Sequence, residues 1–286
     1  MRRKTPVALT IAGSDSGGGA GIQADLKAFA RCGVHGCSAI TAITAQNTLG
    51  VQAIHPVPPE IVLAQVRALV SDLGVDAVKV GMLGTMEVTL TVARALDELP
   101  AGTPVVVDPV MVAESGARLL DVDAQDALIA EIVPRASVLT PNLPEARVLA
   151  GLRAAEGDVT TEEEEEEEAR ELARAVLALG SGAVVLTGGH RARAVDLLLE
   201  RSSNDPRGEV SVIEIPGERH HDGAAHGSGC THSAVLAARL ALGDTTSQAA
   251  RIARRLAGEA VAYGLRDVGR GAGPVDVLGL ERMRES

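Results

Sequence analysis

Short apolar segments alternate with segments of helical period along almost the whole chain, and this alternation limits the fold more than any other feature. Residues 104–107 are apolar throughout, as in strands that are buried on both faces of a parallel sheet. Residues 61–73 and 87–99 have the apolar spacing of helices. No period of about 20 to 50 residues recurs, and no Pro/Ser-rich linker divides the chain. The sequence therefore predicts one doubly wound α/β domain over residues 1–286.

The composition argues against several classes of protein. A net charge of -11 disfavours nucleic acid and anionic membranes as partners, because both attract clustered Lys and Arg. Cys32, Cys37 and Cys230 form neither a CxxC pair nor an even set for disulfides. No apolar run approaches the length of a membrane span, and residues 1–10 lack the apolar centre of a signal peptide. We therefore expect a reduced, cytoplasmic protein.

The residues 226–233 read HGSGCTHS and continue directly into the Ala- and Leu-rich stretch 234–242. Gly227 and Gly229 lack Cβ atoms, so successive backbone N–H groups can turn towards one point and meet a helix N-terminus. This is how proteins build anion sites, although a glycine pair before a helix also serves as a plain turn. Cys230 would lie in the first helical turn, where the dipole lowers a thiol pKa. The stretch could hold a phosphate and offer a base.

A second glycine-rich loop lies near the N-terminus. The apolar run 7–11 is followed by the loop 14–21, which contains four glycines. The helical pattern after it places four residues on one face: Ile22, Leu26, Phe29 and Ala30. Strand, glycine loop and helix open many nucleotide-binding α/β units, but neither the dinucleotide fingerprint nor the Walker motif fits. Asp25 could face the ligand of this loop or be an exposed helical carboxylate.

Polar residues follow or interrupt two of the predicted strands. Ligands of open α/β sheets collect at the carboxyl ends of the strands. Gln46 follows the strand 37–44, and its amide could read a heterocycle or simply occupy a turn. Lys79 interrupts the apolar strand 76–80. Because an unpaired buried ammonium is costly, we expect Lys79 to pair with a carboxylate or a phosphate.

Two carboxylates lie at the ends of neighbouring predicted strands. Asp108 follows the strand 104–107, and Glu145 follows the strand 137–140. Carboxylate oxygens suit a hard cation such as Mg²⁺, bound directly or through water. Either residue taken alone could instead cap a helix.

The glutamate run is expected to have no catalytic part, and the histidines near Cys230 are not expected to bind a metal. The seven glutamates 162–168 are typical of an acid-rich first turn of a helix that extends into solvent. Four histidines crowd Cys230, namely His220, His221, His226 and His232. Their spacing matches no Cys/His pattern of a zinc site, so loop histidines are favoured over metal ligands.

Between these regions, residues 195–200 and 210–215 are predicted to be antiparallel strands around the loop 202–208.

Taken together, several stretches resemble the ribokinase-like superfamily, and within it the hydroxymethylpyrimidine/phosphomethylpyrimidine kinases of thiamine biosynthesis. The matching stretches are ALTIAGSD (8–15), GGGAGIQADLK (17–27), ITAITAQNT (40–48), KVGML (79–83), DPVM (108–111), TPNLPE (140–145), GGH (188–190) and HGSGC (226–230). They follow the order of the family over nearly the whole chain.

The resemblance implies a three-layer α/β/α ribokinase-like fold with a mostly parallel central sheet. It implies that Mg-ATP phosphorylates 4-amino-5-hydroxymethyl-2-methylpyrimidine and then its monophosphate, and that the enzyme is a homodimer. The pyrimidine pocket would be lined by Gly13, Asp25, Gln46, Met82 and Val110. The ATP contacts would be Asn142, Thr187, Gly189, Gly227 and Ser228. Asp108 and Glu145 would serve Mg²⁺, and Cys230 would be the base in a catalytic turn with Gly227 and Gly229.

The sequence departs from the family at Thr187, where many members carry Lys, so a possible phosphate contact is lost there. Relatives with a loop similar to that around Gln46 also accept pyridoxal or pyridoxine, which makes a pyridoxal/pyridoxine kinase the main alternative. Most sugar-kinase cousins carry Asp where Cys230 stands, which favours the pyrimidine or pyridoxal branch. A non-catalytic pyrimidine-binding regulator is a further alternative, but the chain has no DNA-binding helix, basic patch or appended domain.

Overall fold

The computed structural model describes residues 5–113, 116–152, 161–201, 209–220 and 224–284. The strands are β1 Val7–Asp15, β2 His35–Asn47, β3 Gly50–Pro56, β4 Ala77–Val80, β5 Val105–Val107, β6 Val138–Leu139, β7 Ala183–Leu186, β8 Val195–Arg201 and β9 Val210–Pro216. The helices are α1 Gly21–Arg31, α2 Pro59–Asp72, α3 Met86–Asp97, α4 Val122–Ala127, α5 Leu143–Leu149, α6 Glu162–Ala178, α7 Ser228–Leu242, α8 Thr246–Ala262 and α9 Leu280–Arg284. The predicted loop 202–208 and His221 lie outside the described residues.

The nine strands of the described residues form one sheet in the order β3-β2-β1-β4-β5-β6-β7-β8-β9. The six strands from β2 to β7 in this order are parallel. At the two edges β3 pairs antiparallel with β2, and β8 pairs antiparallel with β7 and β9, which confirms the predicted antiparallel strands near the end of the sheet. Strand β2, the next along the chain, pairs with one side of β1, and the later strand β4 pairs with its other side. Sheets of this kind bind ligands at the carboxyl ends beside such a switch point.

Helices cover both faces of the sheet, as the three-layer α/β/α prediction requires. One core includes Val66 of α2, Val92 of α3 and Leu172 of α6. The core on the other face includes Phe29 of α1 and Leu236 of α7. Among the described residues no helix is both long and apolar enough to cross a membrane.

Two element boundaries and the buried face of one helix differ from the sequence prediction. Helix α7 begins at Ser228, so the end of the glycine stretch forms its first turn. Strand β2 extends to Asn47, beyond the predicted end of the strand at residue 44. The reason is that its pairing with β3 continues and places Gln46 opposite Val51. On α1, Ala30 is exposed, whereas Ala24 and Ala28 complete the buried face.

Helix α6 contains the whole glutamate run, and Thr161 and Glu164 form a capping box at its start. The expected acidic first turn is therefore present. The run is not simply solvated, however, because arginines distant in sequence face it. Glu166 pairs with Arg191, and Glu168 forms two hydrogen bonds with Arg147 at 2.7 Å each.

Candidate active site

A cavity of about 920 Å³ lies at the carboxyl edge of the parallel strands. Its walls come from the ends of β1, β2 and β4, from the segments that follow β5, β6 and β7, and from the start of α7. The sequence-predicted site residues on its walls are Gly13, Gln46, Met82, Asp108, Val110, Asn142, Glu145, Thr187, Gly189, Gly227, Ser228, Gly229 and Cys230. The fold thus gathers residues from almost the full length of the chain around one space.

The start of α7 has the features of an anion site. Gly227 precedes the helix with a φ of 87°, and a Cβ atom there would lie 1.8 Å from the carbonyl oxygen of Gly19. A Cβ atom on Gly229 would meet nothing within 4 Å, so this glycine leaves its backbone open to the cavity. The N–H groups of a helix's first turn have no partners within the helix. Together with the helix dipole, they favour a bound phosphate oxygen beside Cys230.

Asp15 shapes the glycine loop that faces α7. Its carboxylate accepts the N–H groups of Gly17 at 2.8 Å, Gly19 at 3.0 Å and Ala20 at 2.9 Å, and lies 3.1 Å from Nε2 of His226. Burial raises the pKa of Asp15, but the hydrogen bonds from His226 and the backbone outweigh it and hold the pKa below its ordinary value. Asp15 is not among the predicted site residues, although Asp commonly accepts N–H groups in the turn that follows it.

A buried ion pair lies under the cavity floor. Nζ of Lys79 is 3.1 Å from Oδ2 of Asp25 and 3.7 Å from Oδ2 of Asp108, which confirms the predicted carboxylate pairing. The two carboxylates outweigh the effect of burial and raise the pKa of Lys79, so it stays an ammonium. Asp25 also accepts the hydroxyl of Thr10 at 2.6 Å.

Asp25 is the one predicted pocket residue that the structure does not place on the cavity wall. Its side chain is fully buried, which also excludes the alternative of an exposed helical carboxylate. The reason is that Thr10 and Lys79 hold the carboxylate between α1 and the sheet, below the pocket. In this arrangement Asp25 supports Lys79, which does line the cavity.

The pKa of Cys230 differs from the one that the helix dipole alone predicts. Burial raises the pKa of its thiol to about 12, and the carboxylates of Asp108 and Asp25 act in the same direction. Lys79 and a hydrogen bond from the backbone N–H of Gly21 lower the pKa but do not compensate. The helix dipole alone would lower this pKa, but enclosure beside two carboxylates outweighs the dipole. The thiol carries its proton there at neutral pH.

Asp108 and Glu145 form the acidic part of the cavity. Oδ2 of Asp108 accepts the hydroxyl of Ser233 at 3.0 Å, and Glu145 accepts the N–H of Asn142 at 3.0 Å in a capping box. Burial and the facing Asp108 raise the pKa of Glu145 to about 8. Two enclosed carboxylates that repel each other offer hard oxygen ligands to a divalent cation, which typically binds one or two protein carboxylates when it is Mg²⁺. The residues thus fit Mg²⁺.

Near β8, a cluster that our sequence analysis missed also lines the cavity. Asp196 accepts the N–H of Gly188 at 2.8 Å, and its carboxylate lies 3.1 Å from Nε2 of His232 and 3.7 Å from Nε of Arg254. The adjacent His232, Arg254 and the hydrogen bond from Gly188 outweigh burial and lower the pKa of Asp196. No motif marks Asp196 or Arg254, because one lies inside a strand and the other in the middle of a helix. His232 and His226 thus pair with carboxylates.

The remaining predicted residues divide between two ends of the cavity. A Cβ atom on Gly13 would lie 2.9 Å from the sulfur of Met82, so these two residues form one surface beside Gln46. Oε1 of Gln46 accepts the hydroxyl of Thr44 at 3.2 Å. At the other end, the N–H of Thr187 donates to the carbonyl oxygen of Pro141 at 2.9 Å. A Cβ atom on Gly189 would meet nothing within 4 Å.

Comparisons with known proteins agree with this geometry. The profile of a family described as phosphomethylpyrimidine kinase matches residues 15–276. The hydroxymethylpyrimidine/phosphomethylpyrimidine kinase of Rhizobium meliloti is 46% identical over 274 residues, which cover 95% of this chain and 96% of the relative. The crystal structure of the phosphomethylpyrimidine kinase from Clostridium difficile has a TM-score of 0.73 at 36% identity and covers 90% of this chain and 100% of its own.

A second kind of relative shares the fold. The pyridoxal kinase of Staphylococcus aureus, solved in complex with AMP-PCP and pyridoxal, has a TM-score of 0.80 at 30% identity. The alignment covers 98% of this chain and 96% of the pyridoxal kinase. These likenesses confirm the predicted ribokinase-like fold and the predicted resemblance. The chain belongs to the phosphomethylpyrimidine kinase family.

Proposed function

We propose that this enzyme transfers the γ-phosphoryl group of ATP to the hydroxymethyl group of 4-amino-5-hydroxymethyl-2-methylpyrimidine and then phosphorylates the monophosphate to the diphosphate. The observation that carries the proposal is the position of Cys230. It lies at the anion-binding start of α7 and lines the same cavity as Gln46 and Met82. One space thus contains a phosphate site, a proton acceptor and an amide beside an apolar surface.

Phosphoryl transfer depends mainly on positioning and on neutralising charge. In the proposed reaction the first turn of α7 holds the oxygens of the transferred group, and Gln46 orients the ring by hydrogen bonding. The Cys230 thiol first loses its proton to solvent, and the thiolate, stabilised by the buried ammonium of Lys79, then accepts the proton of the substrate hydroxyl. Asp108 and Glu145 would hold Mg²⁺, which would neutralise phosphate charge and offset Asp108, one of the two carboxylates that raise the Cys230 pKa.

ATP would occupy the opposite end of the cavity from Gln46. We assign its contacts to Asn142, Thr187 and Gly189, in addition to the turn at Gly227 and Ser228. The open backbone at Gly189 supports this assignment, because a nucleotide can approach a glycine closely.

A pyridoxal kinase reaction in the same cavity is the second candidate. The pyridoxal kinase of S. aureus supports it, since that enzyme aligns with 98% of this chain at a TM-score of 0.80. Both substrates carry a hydroxymethyl group on a nitrogen heterocycle, so the same apparatus could phosphorylate either.

One assay decides between these reactions. ADP release would be measured with ATP and each of hydroxymethylpyrimidine, its monophosphate, pyridoxal, pyridoxine and ribose. We expect the pyrimidine and its monophosphate to give the highest kcat/KM. A higher value for pyridoxal would favour the second candidate, and binding of the pyrimidine without any turnover would indicate a non-catalytic regulator.

We also propose, from the family resemblance, that the enzyme is a homodimer, and, from its three cysteines without a disulfide pattern, that it is cytoplasmic. Light scattering of the purified protein would test the dimer, and a mass of about one chain would contradict it.

A further inference from the structure

We propose that the ion pair between Glu166 and Arg191 positions the turn Gly188–His190, so that the glutamate run supports ATP binding from outside the cavity. The inference rests on the proposed function, which places the nucleotide at this turn. It replaces the expectation that the run has no part in the reaction.

Arg191 is the buried element of this pair. Its side chain is 0% exposed and that of Glu166 is 13% exposed, and the guanidinium donates a hydrogen bond to the glutamate. A second nitrogen of Arg191 donates to the carbonyl oxygen of Val195 at 2.9 Å. The guanidinium therefore joins α6 to both ends of the segment between the turn and β8.

A second glutamate of the run binds the same segment. Glu165 accepts the backbone N–H of Ala192 at 2.6 Å. Two adjacent glutamates thus hold two adjacent residues that directly follow the turn. By contrast, Glu163 and Glu167 in the same run are exposed. The run therefore has one supporting side and one solvated side, as expected of neighbouring positions on a helix.

The segment held in this way continues into the cavity wall. Gly188 donates its N–H to Asp196 at 2.8 Å, and a Cβ atom on Gly188 would lie 2.4 Å from the carbonyl oxygen of Val195. Gly188, Gly189 and Asp196 all line the cavity. Arg219, which also lines it, donates a hydrogen bond to the carbonyl oxygen of Arg191. A displacement of Arg191 would therefore move the turn and the Arg219 side chain together.

The glutamate charge is needed because the guanidinium is enclosed. Removing one partner of a buried ion pair leaves the other charge without compensation, which costs far more than loss of an exposed pair. The segment around Arg191 would then shift to bring the guanidinium towards water. Such a shift opens the turn that we assign to ATP and leaves the Gln46 end of the cavity in place.

The test is a Glu166→Gln variant, compared with wild type by calorimetric titration of ATP in the absence of a second substrate. We expect the Kd for ATP to rise about tenfold, the size of a typical coupling between two sites. In steady-state assays the KM for ATP should rise, while the KM for the phosphoryl acceptor stays within about twofold. A Glu166→Asp variant keeps the charge on a shorter side chain, so its Kd for ATP should lie between those of wild type and Glu166→Gln.

Two control variants separate positioning from general effects. Glu163→Gln removes the same charge from an exposed position that forms no ion pair with any described residue. Arg170→Gln removes another ion pair of α6, the one with Glu214 of β9, which lies outside the cavity wall. Both controls should bind ATP as wild type does.

Wild-type ATP affinity in Glu166→Gln, with or without a lower melting temperature, would overturn the inference and leave the pair as a structural contact. An equal loss of affinity in Glu163→Gln would also overturn it. Because ATP binding is measured alone, failure of the wild type to phosphorylate the pyrimidine would count against the proposed function and not against this inference.

Discussion

At the scale of single residues, the behaviour of Cys230 depends on its neighbours more than on its place in a helix. The thiol lies beside the ammonium of Lys79, the carboxylates of Asp108 and Asp25 and the N–H of Gly21. These groups oppose one another, and burial decides the balance in favour of the protonated thiol. Its role as a proton acceptor therefore depends on charges that ligands bring into the cavity.

Cys230→Ser tests that role. The hydroxyl keeps the size of the thiol approximately but is a far weaker base, so kcat should fall by roughly 10² to 10⁴. The KM for ATP should change little, and Cys230→Asp should recover part of the loss because a carboxylate can accept the proton. Wild-type turnover of the serine variant with an unaltered pH profile would show that the proton leaves by another route.

The raised pKa of Glu145 predicts how the stability of the enzyme changes with pH. Its pKa in the folded, ligand-free enzyme rises from the ordinary 4.5 to about 8, so folding favours the protonated form. This contribution to stability is complete below about pH 4.5 and is lost as the pH rises through 8. In EDTA, Glu145→Gln should therefore match wild type near pH 4.5 and exceed its unfolding free energy by on the order of 4 kcal/mol near pH 8.5.

Urea unfolding at several pH values measures this difference. Added Mg²⁺ should stabilise wild type at the higher pH and affect the Gln variant less. A difference between the two proteins that does not change with pH would contradict the assigned environment of Glu145.

At the scale of elements, the start of α7 is built by two glycines with different roles. Gly227 is required by its left-handed backbone and by the close approach of Gly19. Gly229 has free space where a side chain would be. The first glycine therefore serves the fold and the second serves the ligand, although both belong to one short stretch of sequence.

Substitution by alanine separates these two roles. Gly227→Ala should lower the unfolding free energy by on the order of 1 to 3 kcal/mol, because of backbone strain and a collision with the Gly19 carbonyl. Gly229→Ala should stay within about 0.5 kcal/mol of wild type in urea unfolding. It should nevertheless lower kcat/KM, since its methyl group would enter the cavity. Equal stability of the two variants would contradict the assignment.

At the scale of the whole molecule, strand ends of one sheet and the helices α7 and α8 packed on it form the cavity. Residues 1–286 are predicted to be a single domain, and the nine strands of the described residues belong to the same sheet. The enzyme should therefore unfold in one cooperative calorimetric transition, and ATP should raise its Tm. At an ATP concentration 100-fold above the Kd, the unfolding free energy should rise by about 2.7 kcal/mol. Two separable transitions, of which ATP shifts one, would contradict a single domain.

Much of this organisation could be predicted because its physical signals are local. The all-apolar strand before Asp108 indicates a buried parallel sheet, and the glycines at 227 and 229 before an apolar helix indicate an anion site. The order of strands and helices then places Asp108 and Glu145 at one edge. These inferences need only neighbouring residues, the backbone preferences of glycine and the rule that ligands meet strand ends.

Packing between distant segments decided the rest. Asp25 lies under the cavity because Thr10 and Lys79 hold it there, and the Cys230 pKa rises because α7 folds over two carboxylates. Likewise, Glu166 meets Arg191 only when α6 packs beside the turn before β8. Electrostatic energies depend on the distance between charges and on their exclusion from water, and neither follows from separation along the chain. The sequence by itself determined the fold class and a set of candidate site residues of which all but Asp25 line the cavity, whereas only the tertiary structure decided their charges and which of them support others.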